Sequence, residues 1–350
     1  MMLRGLITTL LVGLTIASPR APKEFKYKQL TTSRNFTYNY IHLRPTDVTK
    51  PYILFLHGFP SSSYDWRHQI PYFHQKGYGI VAPDLLGYGG TSKPLDMNAY
   101  TGKGMAQDVH DILVHEKVET VIGVAHDWGS YLLSRVATNY PDLSTKLVFI
   151  DVGYFAPGND FTEATIRAAN AASQAEKGFT SFGYFLFFVE DEDATQLMDY
   201  NHDSVRSLFQ SNNTAELKIY MGAEGGTRIW LEEGRIEPPK PWITAKDLEH
   251  DRELYSPENG GYGPALNWYK APFYDINAAD DAQIPTAQHN LTQPTLFIGS
   301  RNFISVSADF PGTMRRYIPD LSVINVETDH WVQLQAPDET NAILTNFIEG

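Results

Sequence analysis

Three hundred and fifty residues, 42% of them apolar and 13% aromatic, suffice for one large domain or two smaller ones, and are too rich in Tyr and Phe for a chain that stays unfolded. The net charge of −13, with no block of like charge, argues against a nucleic-acid binder, which needs clustered Lys and Arg opposite phosphates. The absence of Cys removes disulfides, thiolate metal sites and a Cys nucleophile together.

The chain opens with a short basic start, residues 1–4, followed by an apolar run at 5–17 (GLITTLLVGLTIA) that ends in small residues. This is the grammar of a signal peptide over residues 1–17 and predicts a secreted protein. A bilayer span needs ~20 apolar residues, so a membrane anchor is the weaker alternative and no stable span is expected. Sequons at Asn35, Asn212 and Asn290 fit a secretory route as glycosylation candidates, the alternative being ordinary surface Asn.

Short, nearly continuous apolar runs at 52–59 (YILFLHGF), 79–83 (GIVAP), 120–125 (TVIGVA) and 146–152 (KLVFIDV) alternate with helical stretches. That is the pattern of an α/β fold whose mostly parallel sheet is covered on both faces. From 154 to 291 the strand signal stops and the chain turns aromatic, acidic and helical. Strand runs resume at 294–300 (PTLFIGS) and 322–327 (SVINVE), and a closing helix is expected over about 337–348. The expected division is a core of 18–153 and 292–350 interrupted by a helical cap of 154–291.

Asp127 stands between a strand and a helical stretch, with the small residues Ala125 and Gly129 two positions to either side. Such spacing suits a strained strand-to-helix elbow that lifts the central side chain clear of the sheet; the alternative is an Asp that caps the helix. Elbows of this kind usually carry Ser. A Ser attacking a saturated carbon would be left as an ether, which water does not readily cleave, whereas an Asp is left as an ester, which it does. An Asp elbow therefore predicts displacement at a saturated electrophilic carbon followed by ester hydrolysis.

Together with His57-Gly58-Phe59-Pro60 at a strand end and the loop Asp84-Leu85-Leu86-Gly87-Tyr88-Gly89, the Asp127 elbow gives the chain a resemblance to the epoxide hydrolases of the α/β-hydrolase superfamily, with haloalkane dehalogenases as near relatives. The resemblance implies an α/β-hydrolase core with an inserted cap. It implies further that the backbone N–H groups of Phe59 and Trp128 form an oxyanion hole, that His57 holds its turn rather than reacting, and that His330, after the last strand, is the general base for the attacking water. Residues 182–188 and 266–270 resemble the cap segments that carry two ring-opening tyrosines, here Tyr184 and Tyr269. A small apolar epoxide and water are the implied reaction partners, with no cofactor.

The orienting acid departs from the family pattern. Where epoxide hydrolases usually carry it, after the strand at 294–300, this chain has Asn302; after the preceding strand it has Asp151, an arrangement similar to some dehalogenases. Asp151 is therefore expected to orient His330, with Asn302 as the alternative position. The dehalogenase reading would need a halide-binding N–H donor, for which Trp128, Trp230, Trp242 and Trp268 are candidates. A degenerate ligand-binding member is a third reading, motivated by Asn302. No metal site is expected: there is no HExxH pair, and His110 and His115 are wrongly spaced for ligands on one helical face. The glycine-rich stretches at 87–90 and 222–226 lack a nucleotide-binding signature.

Overall fold

Strands β1 (Tyr27–Thr31), β2 (Thr37–Leu43), β3 (Tyr52–Leu56), β4 (Gly79–Pro83), β5 (Val121–His126), β6 (Ser144–Ile150), β7 (Thr295–Gly299) and β8 (Leu321–Asn325) form one sheet in the order β1-β2-β4-β3-β5-β6-β7-β8. The computed structural model describes residues 25–159 and 161–350, so the expected leader at 1–17 lies outside the described residues. From β4 to β8 every neighbouring pair is parallel, while β2 runs antiparallel to both β1 and β4.

All six strands read from the sequence are present, with ends moved by a few residues. β1 and β2 were not foreseen, for a physical reason. β1 (YKQLT) is an edge strand with mostly exposed side chains, and β2 (TYNYIHL) is buried through Tyr40, Ile41 and His42 but carries polar Asn39 and His42 among its apolar residues, so neither has the unbroken apolar run of a strand buried on both faces.

Alternation along the central strands divides the core in two. Ile53, Phe55, Ile122, Val124, Val148 and Ile150 face a layer that includes Trp66, Phe73 from helix α1 (Gln69–Gln75), and Leu344 from the closing helix Pro337–Glu349. Leu54, Leu56, Ala125, Leu147 and Phe149 face the other way, onto helices α2 (Gly102–His115) and α3 (Trp128–Asn139). α3 is buried along almost its whole length and stops one residue before Pro141, as the crowding ahead of proline requires.

Between β6 and β7 the described elements are all helical, from α4 (Glu163–Lys177) and α5 (Gly183–Glu190) to Ala278–Asp281. This cap is pinned to the core by polar contacts. The Trp268 indole donates to Leu86 O at 2.8 Å, Trp331 to Phe209 O at 2.9 Å, and buried Arg135 pairs with Asp281 at 2.8 Å. No helix among the described residues is long and apolar enough to cross a membrane.

Candidate active site

β5 ends in a backbone that an L-residue seldom adopts: Asp127 has φ 53° and ψ −124°, a conformation that costs ~1–3 kcal/mol and survives only where its surroundings enforce it. Two glycines make room for it. A Cβ on Gly129 would lie 2.2 Å from Leu56 O, and one on Gly58 would lie 2.4 Å from the Asp127 side chain. The Gly129 requirement was legible as an elbow; the Gly58 contact joins residues far apart in the chain and was not.

The Asp127 carboxylate is no helix cap, since it accepts nothing from the second or third N–H of α3. Its Oδ1 instead accepts the Phe59 N–H at 2.8 Å, so the first of the two backbone donors named from the sequence is in place on the carboxylate. The Trp128 N–H, next in the chain, favours the charged carboxylate as well. Oδ2 faces His330, with Nε2 at 3.7 Å. Burial raises the Asp127 pKa, and the His330 charge and the two N–H donors oppose that rise.

Behind the imidazole, His330 Nδ1 meets Asp151 Oδ2 at 2.5 Å. Asp151 is fully buried and leaves β6 with φ 62°, its N–H bonding Ile298 O at 2.8 Å on neighbouring β7. Its other oxygen accepts the Ser300 hydroxyl, which in turn accepts the Asn302 N–H at 2.9 Å. Asn302 itself caps a short helix, Oδ1 accepting from Ile304 N at 2.9 Å and Ser305 N at 3.4 Å. The structure therefore brings Asp151, not Asn302, to the ring. Burial alone would lower the His330 pKa; the Asp151 hydrogen bond and the charges of Asp151, Asp127 and Asp65 outweigh it, and the net shift is upward.

Tyr184 on α5 and Tyr269 on the helix Gly263–Phe273 hang from the cap over this group, ring centroids 6.2 Å apart. With Asp127, Trp128 and His330 they line one cavity, closed by Phe59, Phe155 and Phe185. Burial, then the Asp127 charge, holds both phenols well above their ordinary pKa, so they are donors at neutral pH. Tyr269 also stands edge-on to the Trp128 indole, ring centroids 4.9 Å apart.

The model of the alpha/beta hydrolase fold matches residues 51–337. The chain belongs to the α/β hydrolase fold family. Within it, the chain is 28% identical over 334 residues to Epoxide hydrolase A of Mycobacterium tuberculosis, covering 91% of this chain and 98% of that one. It is 29% identical to Epoxide hydrolase 3 of Siraitia grosvenorii, covering 86% and 92%. Among solved structures, an epoxide hydrolase from an endophytic Streptomyces superposes with a TM-score of 0.76 at 26% identity, covering 94% of this chain and 96% of that one.

This hydrolase site also uses residues that sequence reasoning missed. Ser300 holds the acid. His126, buried and kept neutral chiefly by burial, donates Nε2–H to the His330 carbonyl at 2.8 Å and so fixes the loop that carries the ring. Asp65, buried after the Pro60 turn, adds a charge that favours the imidazolium. Of the three, only Ser300 carries a local signal, its place at a strand end two residues before Asn302. His57 accepts the Leu85 N–H at 2.9 Å and donates to Gly58 O at 2.9 Å. With its pKa lowered to about 4 by burial, it ties two loops together as a neutral ring.

Proposed function

We propose that this hydrolase opens an apolar epoxide to a vicinal diol through an ester on Asp127. The observation that carries the reading is the single chamber in which a carboxylate, a histidine and two phenols face one another. Tyr184 and Tyr269 donate to the ring oxygen while Asp127 Oδ2 attacks a ring carbon from the far side. The C–O bond breaks, and the oxygen takes a proton from a phenol. His330 Nε2 then takes a proton from water, whose oxygen adds to Asp127 Cγ. The charge that forms on Oδ1 already lies against the Phe59 N–H, a donor worth ~3 kcal/mol, and the Trp128 N–H is the second donor in this reading. Collapse breaks the Cγ–Oδ2 bond, the His330 imidazolium gives its proton to the leaving diol oxygen, and the second proton of water, lost as the new carboxyl ionises, restores the phenol, so that the carboxylate is regenerated with the oxygen of water.

A leaving halide needs N–H donors and no proton. The Trp268 and Trp230 indoles are committed to Leu86 O and Ser204 O, and Trp242 lies in a separate pocket, which leaves Trp128 alone of the four candidate indoles in the chamber, beside two phenols that a halide would not need. The epoxide reading therefore fits better than the dehalogenase alternative. The degenerate reading loses its motive, because a carboxylate does stand behind the ring.

Replacing each tyrosine by Phe should slow ring opening by ~10²-fold or more, and the double variant should be close to inactive. Diol formation from a styrene-type epoxide measures this, and an undiminished double variant would remove their acid role. Removing the Ser300 hydroxyl leaves a buried carboxylate oxygen short of a donor. Ser300→Ala should slow single-turnover ester hydrolysis roughly tenfold, as expected for a hydrogen bond to a charged group, with recovery in Ser300→Thr.

The helical segment 154–291 serves as the cap in this reading, and the route is secretory. The asparagines of all three sequons are exposed, and a shift in mobility on endoglycosidase treatment of protein from a eukaryotic host tests their occupancy.

A further inference from the structure

Beside the catalytic chamber lies a second, apolar groove, roofed by α4. The two share the walls Phe155, Phe161, Phe182, Ala308 and Phe310, so only an aromatic partition separates them. Its rings stand 4.8 Å (Phe155–Phe161), 5.9 Å (Phe155–Phe310) and 6.2 Å (Phe161–Phe182) apart. Beyond it the groove is lined by Ala156, Ile166, Ala169 and Ala172, and reaches water beside Glu176 and Lys177.

α4 is built to leave this space open. Over its 15 residues it buries only Ile166, Asn170 and Ser173, and three of the positions it gives to the groove are Ala or Ile. Between Thr165 and Lys177, a helical rise of ~1.5 Å per residue makes the groove roughly 18 Å long. A compact ring would leave most of that length empty, and a charged ligand would find no cation along the apolar stretch. A long, apolar trough that shares one wall of aromatic rings with a reaction chamber matches a flexible hydrocarbon chain.

We infer that the groove under α4 holds the unbranched alkyl tail of the epoxide, and that the preferred substrates are long-chain aliphatic epoxides. The inference rests on the epoxide reading above. The reactive ring sits between Asp127 and the two tyrosines, the Phe161 and Phe182 rings swing apart to admit the tail through the partition, and its far end emerges near Lys177.

The test is a homologous series of terminal epoxyalkanes, from butene oxide to octadecene oxide, assayed at concentrations below micelle formation. With wild type, kcat/KM should climb by up to about threefold for each methylene that leaves water, and level off once the tail fills the groove. Ala169→Trp should flatten that climb, lowering kcat/KM for the longest members at least tenfold while leaving butene oxide unchanged, which also shows that the variant is folded. Should Ala169→Trp not fold, Ala172→Phe, on the exposed side of the same wall, carries the identical comparison. Short epoxides turned over without any gain from a longer tail, or a climb that survives both substitutions, would overturn the groove alone. No turnover at any chain length would overturn the epoxide reading and this inference with it.

Discussion

A His330→Gln variant mixed with a styrene-type epoxide should gain the mass of one substrate and keep it. Ring opening needs Asp127 and the two phenols, and none of these is touched by the substitution. Hydrolysis needs a base on the Oδ2 side of the carboxylate, and His330 Nε2, 3.7 Å away, is placed to be that base. Losing a positioned base typically costs 10²–10⁴ in rate, enough to make the ester the species that accumulates. Asp127→Ala should show neither adduct nor diol. Intact-mass spectrometry and diol analysis on the same samples check both, and undiminished diol from Asp127→Ala would end the covalent account.

The second large effect concerns the acid. In Asp151→Asn the ring loses the charge that balances an imidazolium. By analogy with serine triads ester hydrolysis should fall by ~10⁴, while ester formation is affected far less. The pH dependence has a definite sign. His330 must be neutral to accept a proton, and its pKa lies above 6.5 in part because of Asp151. The wild-type hydrolysis step should therefore fall off as pH drops through that raised value. In Asp151→Asn the fall should move to lower pH beneath a much reduced plateau. Asn302→Ala should instead cost stability, ~1 kcal/mol for a lost helix cap, and leave the hydrolysis profile in place. Single-turnover pH profiles of both variants decide the matter; the reverse pattern would make Asn302 the orienting residue.

How much of this was legible in the chain depended on whether the signal was local. The buried parallel strands announce themselves because both faces must be apolar, and the Asp127 elbow because its glycine lies two residues away. β1 was silent because an edge strand faces water, and β2 because Asn39 and His42 interrupt its apolar run. Ser300 and Asp151 owe their meeting to the register of β6 on β7, where Phe149 lies opposite Phe297 and Ile150 opposite Ile298, a pairing that no short motif encodes. His126 and Asp65 likewise act on His330 across distances in sequence that only the fold closes. Asp151 was legible only through the departure at Asn302, because an amide there leaves the ring without its usual carboxylate and the neighbouring strand end carries one.

Because β6 and β7 lie side by side and point the same way, their two tips open onto the same imidazole. A carboxylate mounted on either tip can reach it, and here a serine on the vacated tip steadies the carboxylate on the other. Here the carboxylate that meets the ring comes from the tip of β6. A survey that demands it on β7 alone would file this chain, and any built like it, among inactive homologues.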